Sequence, residues 1–277
     1  ANICHAYQIL KSGGLKDENI IVFMRDDLAY HPANPTKGVV INNPSSQNYY
    51  PGVPKVDYIG NQATAHNFYS VLLGNAKALT GGSGKVLKSS ANDYIFLFHS
   101  DHGDNDDNDN IGIKTIPIPI PEPTANLIGD AGAKPLGMPI GPTITSTDLL
   151  RVLGQMHAAR SYYRMVIYLD ACKSGSMFYQ GLPNNIGIYA MTSANESASS
   201  KSTEDRAGRG KTLEEHYNVV EARVRSRSQV MRYGDLSFKN DLIGNYIVFL
   251  PSGGDIDKWN QDGKLDDQDV GEEECLR

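Results

Sequence analysis

Two uninterrupted apolar runs constrain this chain more than any other feature. Tyr94-Ile95-Phe96-Leu97-Phe98 and Met165-Val166-Ile167-Tyr168-Leu169 show no polar alternation. Each therefore reads as a strand covered on both faces, the mark of a parallel sheet flanked by helices. Helical patterns surround them. Ile3, Tyr7 and Leu10 share one face before Gly13-Gly14, predicting a helix over residues 2–12. Phe68, Val71 and Leu72 mark a helix that ends at Gly74. Leu149, Val152, Leu153 and Met156 mark another, with Ser146 or Thr147 near its N-cap. Leu213, Tyr217, Val220 and Val224 complete the set. Further strands are expected at Ile20–Met24, at Lys37–Ile41 within a loop region rich in Pro, Asn and Gly, and at Ile186–Met191. The apolar stretch Tyr246–Leu250 is also strand-sized. Alternating strands and helices predict an α/β fold with an open, mostly parallel sheet.

Residues 1–250 read as one domain. Within it, residues 104–134 form an insertion: seven consecutive Asp or Asn residues from Asp104 to Asn110, then an Ile-Pro repeat, a composition with little apolar surface to bury. Residues 251–277 form an acidic tail. With 277 residues and 40% hydrophobic content, the chain can build a substantial core. No run approaches the ~18 apolar residues of a membrane span. A net charge of −6 without a basic cluster argues against nucleic acid as a partner.

In an open α/β sheet, ligands sit outside the carboxyl ends of the strands. The 94–98 run leads into His99-Ser100-Asp101-His102-Gly103. The 165–169 run leads into Asp170-Ala171-Cys172-Lys173-Ser174-Gly175-Ser176. If the strands are neighbours, the imidazole of His102 and the thiol of Cys172 share one crevice, as a Cys–His dyad requires. Gly103 admits a substrate closely and offers an amide N–H. Ser174-Gly175-Ser176 suits a tight turn into a helix whose N-terminus would favour a thiolate. The bland alternative is a buried structural thiol and a packed histidine. His5, His31, His66, His99, His157 and His216 read as structural, with His99 a neighbour of the dyad.

The three cysteines are read as unpaired, which excludes a disulfide scaffold and a zinc site. Cys4 falls in the first helix and Cys275 in the tail. Thr80-Gly81-Gly82-Ser83-Gly84-Lys85 fails as a phosphate loop, because Leu79 stands at the first glycine position and Val86 replaces the Ser/Thr. Asn260, Asp262 and Asp269 occupy ligand positions of a calcium-loop pattern, but Lys258 stands where the first ligand belongs. No cofactor and no metal are expected.

These motifs resemble the legumain family of asparaginyl endopeptidases, or vacuolar processing enzymes. The resemblance runs from His5-Ala6-Tyr7-Gln8 through Gly52-Val53-Pro54-Lys55, Gly82-Ser83-Gly84-Lys85-Val86 and Ser100-Asp101-His102-Gly103. It continues through Leu136-Gly137-Met138-Pro139 and Tyr168-Leu169-Asp170-Ala171-Cys172 to Val230-Met231-Arg232-Tyr233-Gly234. It implies a caspase-like fold and cleavage after Asn, or sometimes Asp, in acidic compartments (lysosome, vacuole or the secreted space). Protein or peptide substrates are then the expected partners. By the resemblance Cys172 is the nucleophile and His102 the general acid/base. The amides of Gly103 and Cys172 form the oxyanion hole. Asp101 precedes the catalytic histidine, Asp170 stands for a Glu lining the Asn pocket, and Ser199 and Ser200 form a pocket wall.

The sequence also departs from the family. Its first strand and Tyr-Arg-His-Gln segment have no counterpart in these residues, so the sheet is expected to lack that strand. A Leu-Gly-Asp-x-x-Ser pocket segment is missing before Thr212, and Lys173 replaces a Glu. The 70-residue separation of His102 and Cys172 is long for the family, although a long loop adds little closure entropy. Two further readings are a glycosylphosphatidylinositol-anchor transamidase subunit, which shares the dyad, and a catalytically silent homologue that binds protein. Asn195-Glu196-Ser197 is a glycosylation sequon beside the expected crevice.

Overall fold

A computed structural model describes residues 1–42, 47–53, 57–103, 136–139, 141–179, 181–200, 210–225 and 228–247. The 104–134 insertion, the calcium-loop candidates Asn260, Asp262 and Asp269, and Cys275 all lie outside the described residues.

The expected alternation is present. Helix α1 (Asn2–Ser12) is followed by β1 (Phe23–Met24), β2 (Tyr58–Ile59), α2 (Ala65–Leu72), β3 (Tyr94–Ser100), α3 (Ser146–Ala158), β4 (Arg164–Asp170), β5 (Ile188–Thr192), α4 (Leu213–Val224), β6 (Met231–Gly234) and α5 (Gly244–Ile247). The main sheet has the order β3-β4-β5-β6. β3, β4 and β5 are parallel, and β6 closes the edge antiparallel to β5. β1 and β2 form a separate parallel pair.

The apolar runs form β3 and β4 because both faces of the sheet are covered. Ile95, Leu97, Met165, Ile167, Leu169, Ile188 and Ala190 bury one face beneath α2 and α3. Val166, Tyr189 and Met191 bury the other against α4 and α5. Each fully buried aliphatic such as Ile167 or Ile188 contributes ~1.5–3 kcal/mol. Helices α2, α3 and α4 begin where a threonine side chain accepts from a first-turn amide. Thr64 caps α2 and Thr145 caps α3, one residue before the expected Ser146; Thr212 and Glu215 form a capping box on α4.

Three expected elements differ. Lys37–Ile41 is not a strand. Asn34 Nδ2 donates to the Val39 carbonyl at 3.0 Å, Asn48 Oδ1 accepts from the Val40 amide at 2.9 Å, and Asn48 Nδ2 donates to the Gly38 carbonyl at 3.1 Å. Side-chain amides thus take the backbone groups a neighbouring strand would need. The Ile20–Met24 strand loses its start and shortens to Phe23–Met24, because Asp57 Oδ2 accepts from the Val22 amide at 3.1 Å and Lys85 Nζ donates to the Ile20 carbonyl at 2.8 Å. Tyr246, at the start of the strand-sized apolar stretch, lies in the helical turn α5. Sequence reading made no strand of Tyr58–Ile59, and it noted the β6 residues only as a family motif.

Among the described residues no ladder joins β1 to β3. A groove of about 1300 Å³ runs between them, walled by residues 20–29 and 93–102 and also lined by Ile3, Tyr7 and Leu10 of α1. It reaches His102 at the carboxyl end of β3. The pair β1–β2 is anchored by Asp57, which is fully buried. Its carboxylate accepts from the Val22 amide at 3.1 Å, and Lys85 Nζ lies 3.1 and 3.2 Å from its two oxygens. The Gly-rich segment before Val86 thus supplies a structural cation, in line with its failure as a phosphate loop. Among the described residues no helix is long and apolar enough to cross a membrane, and no group of three or more His, Cys, Asp or Glu is placed to hold a metal.

Candidate active site

β3 and β4 are hydrogen-bonded neighbours in register, Ser100 opposite Asp170. Two residues further on, His102 follows β3 and Cys172 follows β4. The Asp101 amide still donates to the Asp170 carbonyl at 3.2 Å. At Gly103 the two chains touch: a Cβ there would sit 1.7 Å from the Cys172 carbonyl oxygen. The adjacency the sequence reading required is therefore present. Ser100 and Asp170 close β3 and β4, two positions before His102 and Cys172.

His102 is exposed, while Cys172 is only 4% exposed. Backbone bonds fix the histidine loop. The His102 amide donates to Asp101 Oδ1 at 2.7 Å, and its carbonyl accepts from the Gly137 amide at 3.0 Å. Leu136 bridges both Gly103 and Ile144. Asp101 thus contacts the backbone of His102.

Cys172 is disulfide-bonded. This corrects the reading of three unpaired cysteines; Cys4 is a free, buried thiol, as expected. Nucleophilic chemistry at Cys172 belongs to its reduced form. The Ser200 amide donates to Cys172 Sγ at 3.3 Å. Lys173, the next residue, adopts the left-handed conformation (φ 57°, ψ 19°) at the start of the following turn. The helix expected after Cys172 is a single 3₁₀ turn, Ser174–Met177. Four residues carry little macrodipole, so any thiolate stabilisation there comes from individual amides.

A polar cluster forms around Asp170 at the ends of β3 and β4. Ser200 Oγ donates to Asp170 Oδ1 at 2.9 Å, and Ser100 Oγ donates to Asp170 Oδ2 at 3.3 Å. Asn2 Nδ2, from α1, donates to Ser100 Oγ at 2.8 Å. Ser193 Oγ lies 2.6 Å from Ser200 Oγ and accepts from the Ala171 amide at 3.1 Å. Of the expected pocket residues, Asp170 and Ser200 meet here. Ser199 is exposed, and its carbonyl accepts from Ser228 Oγ. Sequence reading missed Asn2, Ser100 and Ser193. The place of Ser100 two positions before His102 was the signal for one of them.

His99 lies in β3, paired in register with Leu169 of β4. Its Nε2 is sealed from solvent with no hydrogen-bond partner. Desolvation pushes its pKa below the usual histidine value, partly offset by Asp101 and Asp170. Three other histidines have structural contacts. His5 stacks on Tyr49, His66 bonds the Ala78 carbonyl, and His216 bonds Tyr168 Oη. Asn195 of the sequon closes a turn, its Oδ1 accepting from the amides of Ser197 and Ala198.

A sequence model of the peptidase C13 family matches residues 1–119 and 128–208. Among curated proteins the chain is 38% identical over 291 residues to vacuolar-processing enzyme beta-isozyme 1 of Oryza sativa subsp. japonica, covering 92% of this chain and 53% of that protein. It is 39% identical to the vacuolar-processing enzyme of Vicia sativa, covering 87% and 50%. Against the vacuolar-processing enzyme of Phaseolus vulgaris it is 43% identical, covering 73% and 35%. The chain thus spans about half the length, or less, of these relatives.

Proposed function

We propose, for a chain that belongs to the peptidase C13 family, that it is the catalytic domain of a legumain-type cysteine endopeptidase cleaving after Asn. The observation that carries this reading is the contact of Gly103 with the Cys172 backbone, which brings the His102 and Cys172 loops into one site. In the reduced protein, His102 takes the thiol proton and Cys172 Sγ attacks the carbonyl carbon after Asn. The amides of Gly103 and Cys172 stabilise the tetrahedral oxyanion. Collapse breaks the C–N bond, and His102 passes its proton to the departing amine. Water, deprotonated by His102, then attacks the thioester; the acyl group leaves with a new carboxylate and Cys172 recovers its proton. An amine attacking in place of water gives a ligated peptide. Asp170 and Ser200 line the pocket for the Asn side chain, Ser199 forms its outer rim, and Asp101 orders the His102 backbone.

The peptidase domain is residues 1–250, followed by the acidic tail 251–277. The substrates are proteins or peptides, and the compartment is vacuolar or lysosomal, or the secreted space, in keeping with the names of the relatives. The test uses reduced protein and matched Asn-containing peptides. Cys172→Ala abolishes their cleavage while leaving the thermal transition in place; undiminished turnover in that variant overturns the assignment.

A further inference from the structure

The protons of the polar cluster can be placed by counting. Ser200 Oγ sits within hydrogen-bond distance of both Asp170 Oδ1 (2.9 Å) and Ser193 Oγ (2.6 Å). A hydroxyl has one proton, and an ionised carboxylate only accepts. The Ser200 proton therefore goes to Asp170, and Ser193 is the donor in the Ser193–Ser200 contact. Ser193 has an alternative acceptor, the Ala171 carbonyl, but at 3.5 Å it is the weaker one. On the other flank, Asn2 Nδ2 donates to Ser100 Oγ. That fills an acceptor site on Ser100 and turns its own proton toward Asp170 Oδ2. Two chains of donors thus converge on one carboxylate, one starting at the Ala171 amide and the other at Asn2 on α1.

We infer that Asn2 and Ser100 are positioning residues for Asp170, and through it specificity-determining residues for a carboxamide side chain bound beneath the dyad. With one proton supplied to each oxygen from below, the carboxylate presents its remaining lone pairs to the site. An incoming carboxamide N–H₂ matches them. An incoming carboxylate brings no donor and adds like charge a few ångströms away. If Ser100 loses its hydroxyl, Asp170 Oδ2 loses its support and the carboxylate is free to turn toward solvent. Asn2 acts one bond further out, so its loss has the smaller effect.

This inference rests on the proposed Asn-cleaving activity. The experiment measures kcat and KM of reduced protein on peptides differing only by Asn or Asp at the cleaved residue. It compares wild type, Ser100→Ala, Ser100→Thr and Asn2→Ala, with the rate of Cys172 alkylation by iodoacetamide and the thermal transition of each. Ser100→Ala is expected to raise KM for the Asn peptide by roughly 5- to 10-fold, the loss of about one hydrogen bond. Its kcat and alkylation rate change by less than about twofold, and its Asn-over-Asp preference narrows. Ser100→Thr, which keeps the hydroxyl, restores both. Asn2→Ala shifts KM in the same direction by a smaller factor, and serves alone if Ser100→Ala does not fold. A wild type that cleaves these peptides without preferring Asn sinks the functional reading. A wild type that prefers Asn, with variants of unchanged preference, or with Ser100→Thr as impaired as Ser100→Ala, overturns this inference alone.

Discussion

Gly103→Ala is the sharpest probe of how the His102 and Cys172 loops are joined. The added Cβ would stand 1.7 Å from the Cys172 carbonyl oxygen, 2.7 Å from its carbon and 3.2 Å from its Cα. All three are backbone atoms, so no rotamer change relieves the clash. Ordinary contact begins near 3.4 Å, so the loops must part by about 1.7 Å. The β3–β4 ladder resists this, holding Ser100 opposite Asp170 three residues earlier. A misplacement of ~1 Å costs ~10²-fold in rate, about 2.7 kcal/mol in the barrier. The overpacking itself costs ~1–3 kcal/mol of stability, or roughly 2–12 °C in Tm for a domain of this size. The assay is kcat/KM of reduced protein on an Asn-containing peptide, with calorimetry alongside. Gly154→Ala is the control: it lies inside α3, with nothing within 4 Å of its added Cβ, and should gain up to ~1 kcal/mol. A Gly103→Ala protein with kcat/KM within threefold of wild type and an unshifted Tm would refute the contact argument.

Two further outcomes concern stability. Lys85→Met leaves the fully buried Asp57 without its cation, and is expected to cost ~3–5 kcal/mol in chemical denaturation; a loss below ~1 kcal/mol would remove Asp57–Lys85 as the anchor of β1 and β2. His99 is held neutral by burial, its pKa depressed in the folded state. The unfolded chain gains this proton near pH 6.5 and the folded chain only at lower pH, so His99 lowers stability as pH falls below ~6.5, by up to ~1.4 kcal/mol per pH unit, until it protonates in the fold. His99→Leu should flatten the decline of Tm between pH 7 and pH 5; parallel curves for the two proteins would contradict this.

The main sheet was legible because burial on both faces leaves a pattern that few other environments permit: apolar runs in β3 and β4, each leading into reactive residues. Elements whose backbone is satisfied by side chains were not. Nothing in Lys37–Ile41 announces that Asn34 and Asn48 will take its amides and carbonyls. β2 is two residues long and β6 only four, too few for a period to show. In the candidate site, His102, Gly103 and Cys172 were proposed from strand-end placement, and Asp170 and Ser200 from the family motif. Asn2 reaches the cluster from 98 residues before Ser100, and Ser193 takes the Ala171 amide from 22 residues further along the chain. Such convergence depends on topology, which a linear reading does not contain. The disulfide at Cys172 likewise left no spacing signal.

The groove beside β3 makes the two halves of the dyad mechanically unequal. Cys172 extends from β4, which is hydrogen-bonded to β3 on one side and β5 on the other. His102 extends from β3, whose ladder among the described residues is on the β4 side alone. Cys172, the proposed nucleophile, is therefore mounted on the stiff part of the sheet and His102, the proposed acid/base, on its compliant margin, where local opening costs least. Fluctuations that separate the pair are expected to be motions of the histidine. Amide exchange should accordingly run faster along Tyr94–Ser100 than along Arg164–Asp170, with reaction geometry set by how well the margin is held.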